Sequence, residues 1–367
     1  MAGSRLHELS ARGVSVWFDT LSRDLLETGA LARMIEEDAV VGVTSNPTIF
    51  QKALSEGERY DDQIRALERV ADTREVFFAL AMDDIRAACD LLRPVWEATA
   101  GIDGFVSLEV DPTLAYDREA TYEQAMRFHA EVDKPNLYVK IPATHIGLSA
   151  IEDCIAQGRS INVTLIFSLA RYAAVVEAYI RGLERLVAAG GDPAKVASVA
   201  SFFVSRVDTE ADKRLEAIGR TDLVGRLAVA NAKLAYRHWQ EAFTGERWAF
   251  LASRGARTQR CLWASTSTKN PDYRDVIYVE ELVGPDVVNT MPLETIRAFQ
   301  DHGEVRGDTL LEGVDDARRL LEELADAGVD YDDVVAVLEA EGVKKFADSF
   351  ADLMEGIEAK RGALAAA

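Results

Sequence analysis

Asn136-Leu137-Tyr138-Val139-Lys140-Ile141-Pro142-Ala143-Thr144 is a short aliphatic run that ends in proline and carries a lysine within it. Leu137, Val139 and Ile141 alternate on one face of a strand, and Tyr138 and Lys140 share the other. A helical pattern follows soon afterwards, as expected of one unit of an α/β protein whose strands are buried on both faces. Lysine is rarely buried unless paired. Two explanations stand open on this strand alone. Lys140 is either a structural ion-pair or snorkelling residue, or a desolvated amine that attacks a carbonyl and forms a Schiff base.

Outward from this run, the same alternation of strand and helix repeats. Val14 to Thr20, Val40 to Thr44, Phe105 to Val110, Ser160 to Phe167, Val196 to Val204, Cys261 to Thr266 and Val287 to Pro292 read as strands. Helical spacing covers about 4–11, 21–37, much of 58–100, 118–132, 147–157, 169–189 with Ser168 as its cap, 207–243, and about 293–360. Asn46-Pro47 suits a turn that caps a helix, and 362–367 reads as a frayed tail. Eight strands separated by helices predict an α/β fold, a (β/α)8 TIM barrel with additional N- and C-terminal helices. A doubly wound open sheet would carry a glycine-rich phosphate loop, and neither G-x-G-x-x-G nor G-x-x-x-x-G-K-[ST] follows any of these strands. No proline- or glycine-rich linker divides the chain, so 1–367 is expected to be a single domain.

Composition bounds the partners. With 367 residues and 48% hydrophobic content the chain can bury a sizeable core. Its formal net charge of −21 would repel phosphates at long range and offers no nucleic-acid surface, so an anionic substrate needs a local cationic pocket. The three cysteines are widely spaced and the five histidines lack metal-ligand spacing, so neither a disulfide framework nor a metal site is expected. With no apolar signal core and no membrane-length apolar run, the expected location is the cytoplasm. The sequence leaves oligomeric state open, a homo-oligomer included.

Alternate residues of a barrel strand point inward. With apolar side chains facing the helices, the inward set is Ser15, Trp17 and Asp19; Gly42, Thr44 and Asn46; Ser107 and Glu109; Tyr138 and Lys140; Asn162 and Thr164; Ser201 and Phe203; Trp263 and Ser265. Asp19 and Asn46 would each also serve as helix caps, and Glu109 could simply pair with Lys140. Five adjacent strands sharing such polar positions would impose a large desolvation cost on a merely structural core. Convergence of a lysine and two carboxylates favours amine catalysis of carbon–carbon bond exchange, in which carboxylates move the protons.

At these positions the chain resembles the transaldolase family. The resemblance is carried by Trp17-Phe18-Asp19-Thr20, Gly42-Val43-Thr44-Ser45-Asn46-Pro47-Thr48 and Val106-Ser107-Leu108-Glu109-Val110-Asp111. It continues through Val139-Lys140-Ile141-Pro142-Ala143-Thr144, Ile161 to Ser168, and Ser201-Phe202-Phe203-Val204-Ser205-Arg206-Val207-Asp208. It implies a cofactor-free enzyme of the pentose phosphate pathway that moves a dihydroxyacetone unit from sedoheptulose 7-phosphate to glyceraldehyde 3-phosphate. By matching position, Lys140 would form the Schiff base and Asp19 would be the acid/base at the C4 hydroxyl. Glu109 and Thr164 would hold the water of carbinolamine chemistry. Asn46 and Asn162 would bind the dihydroxyacetone hydroxyls. Ser201 and Arg206 would belong to the phosphate site, with Phe203 flanking the pocket.

The chain departs from the better-known members on the seventh strand, where their Ser-Phe-Arg is replaced by Ser265-Thr266-Ser267. Ser265 matches the serine, and Lys269 is expected to supply charge from slightly further on. This is similar to the longer bacterial branch, including transaldolases fused to glucose-6-phosphate isomerase, here in unfused form. Alternatives from the residues are a class I aldolase of the fructose-6-phosphate aldolase type, and a non-catalytic sugar-phosphate binder on a barrel scaffold.

Overall fold

The structure is a computed structural model that describes residues 4–45, 50–51 and 57–366. Eight strands, β1 (Val14–Phe18), β2 (Val40–Val43), β3 (Phe105–Glu109), β4 (Leu137–Pro142), β5 (Ile161–Ile166), β6 (Ser198–Phe203), β7 (Arg260–Ala264) and β8 (Val287–Met291), close in sequence order into a parallel barrel. β1 pairs with β8 from Val14↔Val287 to Phe18↔Met291 and closes the ring. Helix Arg5–Ala11 precedes β1, and helices Leu293–His302, Val314–Asp326 and Tyr331–Ala366 follow β8. No helix among the described residues is long and apolar enough to cross a membrane.

Helix boundaries differ from the sequence expectation in three places. The expected helix over 21–37 is two, Arg23–Glu27 and Ala30–Glu37, because Gly29 between them takes a left-handed φ of 70°. The stretch 207–243 likewise divides into Ser205–Ala217 and Leu227–Ala242, with a short 3₁₀ turn at Thr221–Leu223 between. Residues 362–366 are not frayed; they complete helix Tyr331–Ala366, and Leu364 packs against the core. The Asn46-Pro47 turn lies outside the described residues.

Side chains fill the lumen in layers. At the N-terminal end Asp103 accepts hydrogen bonds from Ser15 (2.6 Å) and Trp17 Nε1 (3.2 Å) and pairs with Arg260 at 3.1 Å. Above it, Trp17 and Tyr138 lie 6.0 Å apart, and Phe105 stacks on Tyr138 at 4.1 Å. Gly42 is required there: a Cβ on it would lie 2.4 Å from the Trp17 ring. The aromatic layer blocks the barrel from below, so the polar strand ends open only at the C-terminal mouth.

On β7 the lumen face is the reverse of the sequence expectation, which puts Trp263 and Ser265 inward. β7 pairs with β6 as Ser201↔Leu262, Phe202↔Trp263 and Phe203↔Ala264, so Leu262 and Ala264 share the lumen side with Ser201 and Phe203. Trp263 packs edge-on against Phe202 at 6.1 Å on the helix side. From Cys261 to Ala264 both faces are apolar, so alternation carries no sign there; Arg260, the first residue of the strand, shares the lumen side and reaches Asp103. Ser265 reaches the mouth because it follows the strand in a left-handed conformation, φ 57°.

Helix Tyr331–Ala366 crosses this mouth. Its Gly342 lets Leu165 and Phe167 approach, at 3.2 and 3.3 Å from where a Cβ would stand. Phe350 packs against Phe77 and Phe78, with ring centroids at 5.7 and 6.1 Å. Gly42→Ala is expected to lower stability by roughly 1–3 kcal/mol through overpacking against Trp17. Gly356→Ala, where a Cβ meets nothing within 4 Å, is expected to raise it by roughly 0.5–1 kcal/mol. Urea unfolding midpoints measure both; equal midpoints for Gly42→Ala and wild type would remove the packing constraint.

Candidate active site

The end of β4 brings Lys140 beside Glu109 of β3, its register partner. Lys140 Nζ lies 3.1 Å from Glu109 Oε2 and donates to the Ser45 carbonyl at 2.8 Å. The two side chains are 8% and 5% exposed, so this is a buried pair. Burial raises Glu109 above the usual carboxylate range, and Lys140 opposes that rise. The structural alternative weighed from sequence, a Glu109–Lys140 contact, is therefore present. It does not exclude chemistry, because a proton can pass along it: Glu109 protonated and Lys140 neutral removes both buried charges. Ser45 is a contact the sequence reading missed, since a backbone carbonyl leaves no signature.

Asn162 of β5 pairs with Lys140 across the next ladder. Its amide is fixed from both sides: Nδ2 donates to Ser107 at 3.2 Å, and Oδ1 accepts from Ser201 at 2.7 Å. The Ser201 hydroxyl proton is therefore committed to orienting Asn162. Above these groups a cavity of about 390 Å³ opens, and Asp19, Lys140, Thr164, Ser201, Phe203, Arg206, Ser265 and Lys269 all line it. Ser265 hydrogen-bonds the Ser205 hydroxyl at 2.9 Å. Asn46 lies outside the described residues.

Asp19 follows β1, its N–H continuing the ladder to Met291 O at 3.1 Å. Burial pushes its carboxyl up to about 6. A hydrogen bond from Thr20 opposes the rise, Glu294 adds to it, and Lys140 and Lys269 oppose it. Glu294 lines the cavity but sits on a helix after β8, where no strand alternation marks it.

One end of the cavity gathers three cations among the described residues. Arg206 lies over the Phe203 ring at 4.9 Å, and burial holds its guanidinium below the ordinary value. The ion pair it might have formed with its helix neighbours is absent: Asp208 accepts from Ala228 N–H and Tyr278 O–H, and Glu210 pairs with Arg214 and Lys213. Lys269 donates to Ser267 at 2.8 Å and lies below the ordinary lysine value, through burial first and then Arg206. Lys345, from the terminal helix, is the third, and neighbouring Phe346 places its ring 6.0 Å from Lys140 Nζ. Both were unseen in sequence because nothing there shows that this helix covers the mouth.

Fold and site together define a (β/α)8 barrel with a buried lysine–carboxylate pair at its C-terminal mouth, facing a cluster of cations. The chain belongs to the transaldolase/fructose-6-phosphate aldolase family, whose model matches residues 16–357. It is 55% identical to a transaldolase of Acidothermus cellulolyticus, over 96% of this chain and 95% of the relative. It is 54% identical to one of Mycolicibacterium paratuberculosis, with 97% of each covered, and 52% identical to one of Frankia alni, again with 97% of each covered.

The Asp19 electrostatics carry a pH prediction. Its folded value lies above the ordinary 3.8, so the stability it contributes is complete below 3.8 and is lost as pH rises through about 6. Carbon-detected NMR titration of Asp19 should give a midpoint near 6 that falls in Glu294→Gln and rises in Lys269→Ala. An ordinary midpoint unmoved by either substitution would refute the assigned environment.

Proposed function

We propose that the chain is a transaldolase of the pentose phosphate pathway, working in the cytoplasm. It moves a dihydroxyacetone unit from sedoheptulose 7-phosphate to glyceraldehyde 3-phosphate, giving erythrose 4-phosphate and fructose 6-phosphate, through an imine on Lys140. The observation that carries this is the buried Lys140–Glu109 contact opening into a cavity that also holds Asp19 and the cation cluster.

Glu109 takes the Lys140 proton, leaving a neutral amine that adds to the donor ketone. Loss of water from the carbinolamine gives the imine, with Glu109 and Thr164 handling that water. Asp19 removes the C4 hydroxyl proton as the C3–C4 bond breaks, and the aldose leaves. The electrons of that bond rest in an enamine on Lys140. Attack on the acceptor aldehyde re-forms a carbon–carbon bond, Asp19 returns the proton, and hydrolysis frees Lys140. Asn162, whose amide is oriented by Ser107 and Ser201, is assigned to the dihydroxyacetone hydroxyls, and Asn46 to the same task. Arg206 supplies a planar fork for phosphate, with Phe203 beneath it, and Lys269, Lys345 and Ser265 complete that end.

Two measurements test this. Purified protein with fructose 6-phosphate and erythrose 4-phosphate should form sedoheptulose 7-phosphate and glyceraldehyde 3-phosphate, and without acceptor should release little dihydroxyacetone. Steady dihydroxyacetone release without acceptor would instead make it a fructose-6-phosphate aldolase. For the cations, a charged hydrogen bond is worth about 1.5–3 kcal/mol. Arg206→Ala should therefore raise KM for fructose 6-phosphate by about tenfold to a hundredfold while sparing unphosphorylated fructose. Lys269→Ala and Lys345→Ala should do the same more weakly. Equal losses on both sugars would make these residues structural.

A further inference from the structure

At the opposite, N-terminal end of the barrel a second cavity, of about 640 Å³, opens among the starts of β3, β4, β5 and β6, and none of its lining residues lines the catalytic cavity. Its volume and its apolar walls, with a few convergent polar groups, are those of a small-molecule site. Trp96, Phe105 and Leu137 supply much of the apolar surface.

The polar groups are biased toward cations. Lys134 is already paired with Asp90 at 2.5 Å, and Glu97 is the one carboxylate among the described residues that line the cavity. Arg257 is held in place by the carbonyls of Ala100 and Gly101, which orient its guanidinium without cancelling its charge. Arg257 and Trp96 flank one spot: a methyl on Gly101 would lie 2.9 Å from Arg257 Nη1 and 3.2 Å from Trp96 Nε1. The Trp96 Nε1 donor is buried and has no acceptor.

Arg159 is the decisive residue. Among the described residues its guanidinium has no ion-pair or hydrogen-bond partner, and its Nε is sealed from solvent without an acceptor. Buried donors are normally satisfied, and an unmet one costs more than a solvated one. Its neighbour His129 adds no second positive charge: the ring bonds Ser160 O through Nε2 at 3.1 Å, and burial, then Arg159, pushes its pKa down to about 4.

We propose that this cavity is a second ligand site, for a small organic anion whose phosphate or carboxylate pairs with Arg159 and Arg257 and whose apolar or planar body lies against Trp96, Phe105 and Leu137. Planar guanidinium forks suit both anions, and a bound acceptor would give the unpaired Arg159 guanidinium a partner on its cavity side. Lys195, loosely placed 3.9 Å from Asp192 and 80% exposed, adds charge at the rim.

Isothermal titration with adenosine 5′-monophosphate and with citrate, one probe for each anion chemistry, tests the site. At least one should bind wild type, and Arg206→Ala, altered only at the catalytic mouth, should bind it equally well. Arg159→Gln should weaken binding by about tenfold or more. The same variant should keep transaldolase turnover, which reports an intact fold. Lys195→Glu, a surface change that cannot disturb the core, should weaken binding by a smaller factor. Absence of binding by both probes would overturn the proposal. So would binding that Arg206→Ala abolishes while Arg159→Gln and Lys195→Glu leave it unchanged.

Discussion

The contact on which the rest of the structure depends is the 3.1 Å approach of Lys140 to Glu109, with both side chains almost out of water. Two isolated charges in such a place would be expensive, and their mutual attraction only partly offsets the loss of solvent. The surroundings make the contact tenable. The Ser45 carbonyl gives the amine a second acceptor at 2.8 Å. Parallel register keeps Glu109, Lys140 and Asn162 on three consecutive strands at one level. The aromatic layer of Trp17, Tyr138 and Phe105 closes the lumen beneath, and the terminal helix brings Phe346 over the top. A pair held this way can relieve its desolvation by moving one proton, and in the proposed mechanism that movement makes Lys140 the nucleophile.

The charge pattern follows from the same economy of burial. A chain of net charge −21 does not draw phosphates from a distance. Cations are instead gathered at one end of the catalytic cavity, where Arg206, Lys269 and Lys345 come from three separate elements. Burial first, and then the closeness of Arg206, depresses Lys269. An incoming dianion would relieve that repulsion, so the proposed phosphate recognition is local, at the place where the protein alone is least comfortable. Asp19 and Glu294 line the same cavity, and Glu294 raises Asp19 by its charge alone.

Much of this was legible in the chain because barrel strands have a two-residue period and mixed polarity. On β1, β3, β4 and β5 a polar residue in an apolar run marks the lumen face, and Asp19, Glu109, Lys140 and Thr164 were found by that contrast. On β7 the contrast fails: Cys261, Leu262, Trp263 and Ala264 are apolar on both faces, and the assignment inverted. Ser265 still reached the cavity, through a left-handed residue that alternation does not encode. Lys345, Phe346 and Glu294 lie on helices far along the chain, and only tertiary packing reveals that they face the strand ends. The breaks near Gly29 and at 218–226 fall at Gly29, Gly219 and Gly225, each with a positive φ, which a reading by apolar spacing passes over.

The most direct test of Lys140 as the nucleophile is reduction of the working enzyme with borohydride in the presence of fructose 6-phosphate, followed by peptide mass spectrometry. A reduced dihydroxyacetone adduct should appear on the peptide containing Lys140 in wild type. Asp19→Ala, still able to form the imine but slow to cleave, should carry the intact sugar phosphate there instead. Lys140→Ala should carry neither. An adduct on another lysine, or an undiminished adduct in Lys140→Ala, would contradict the assignment.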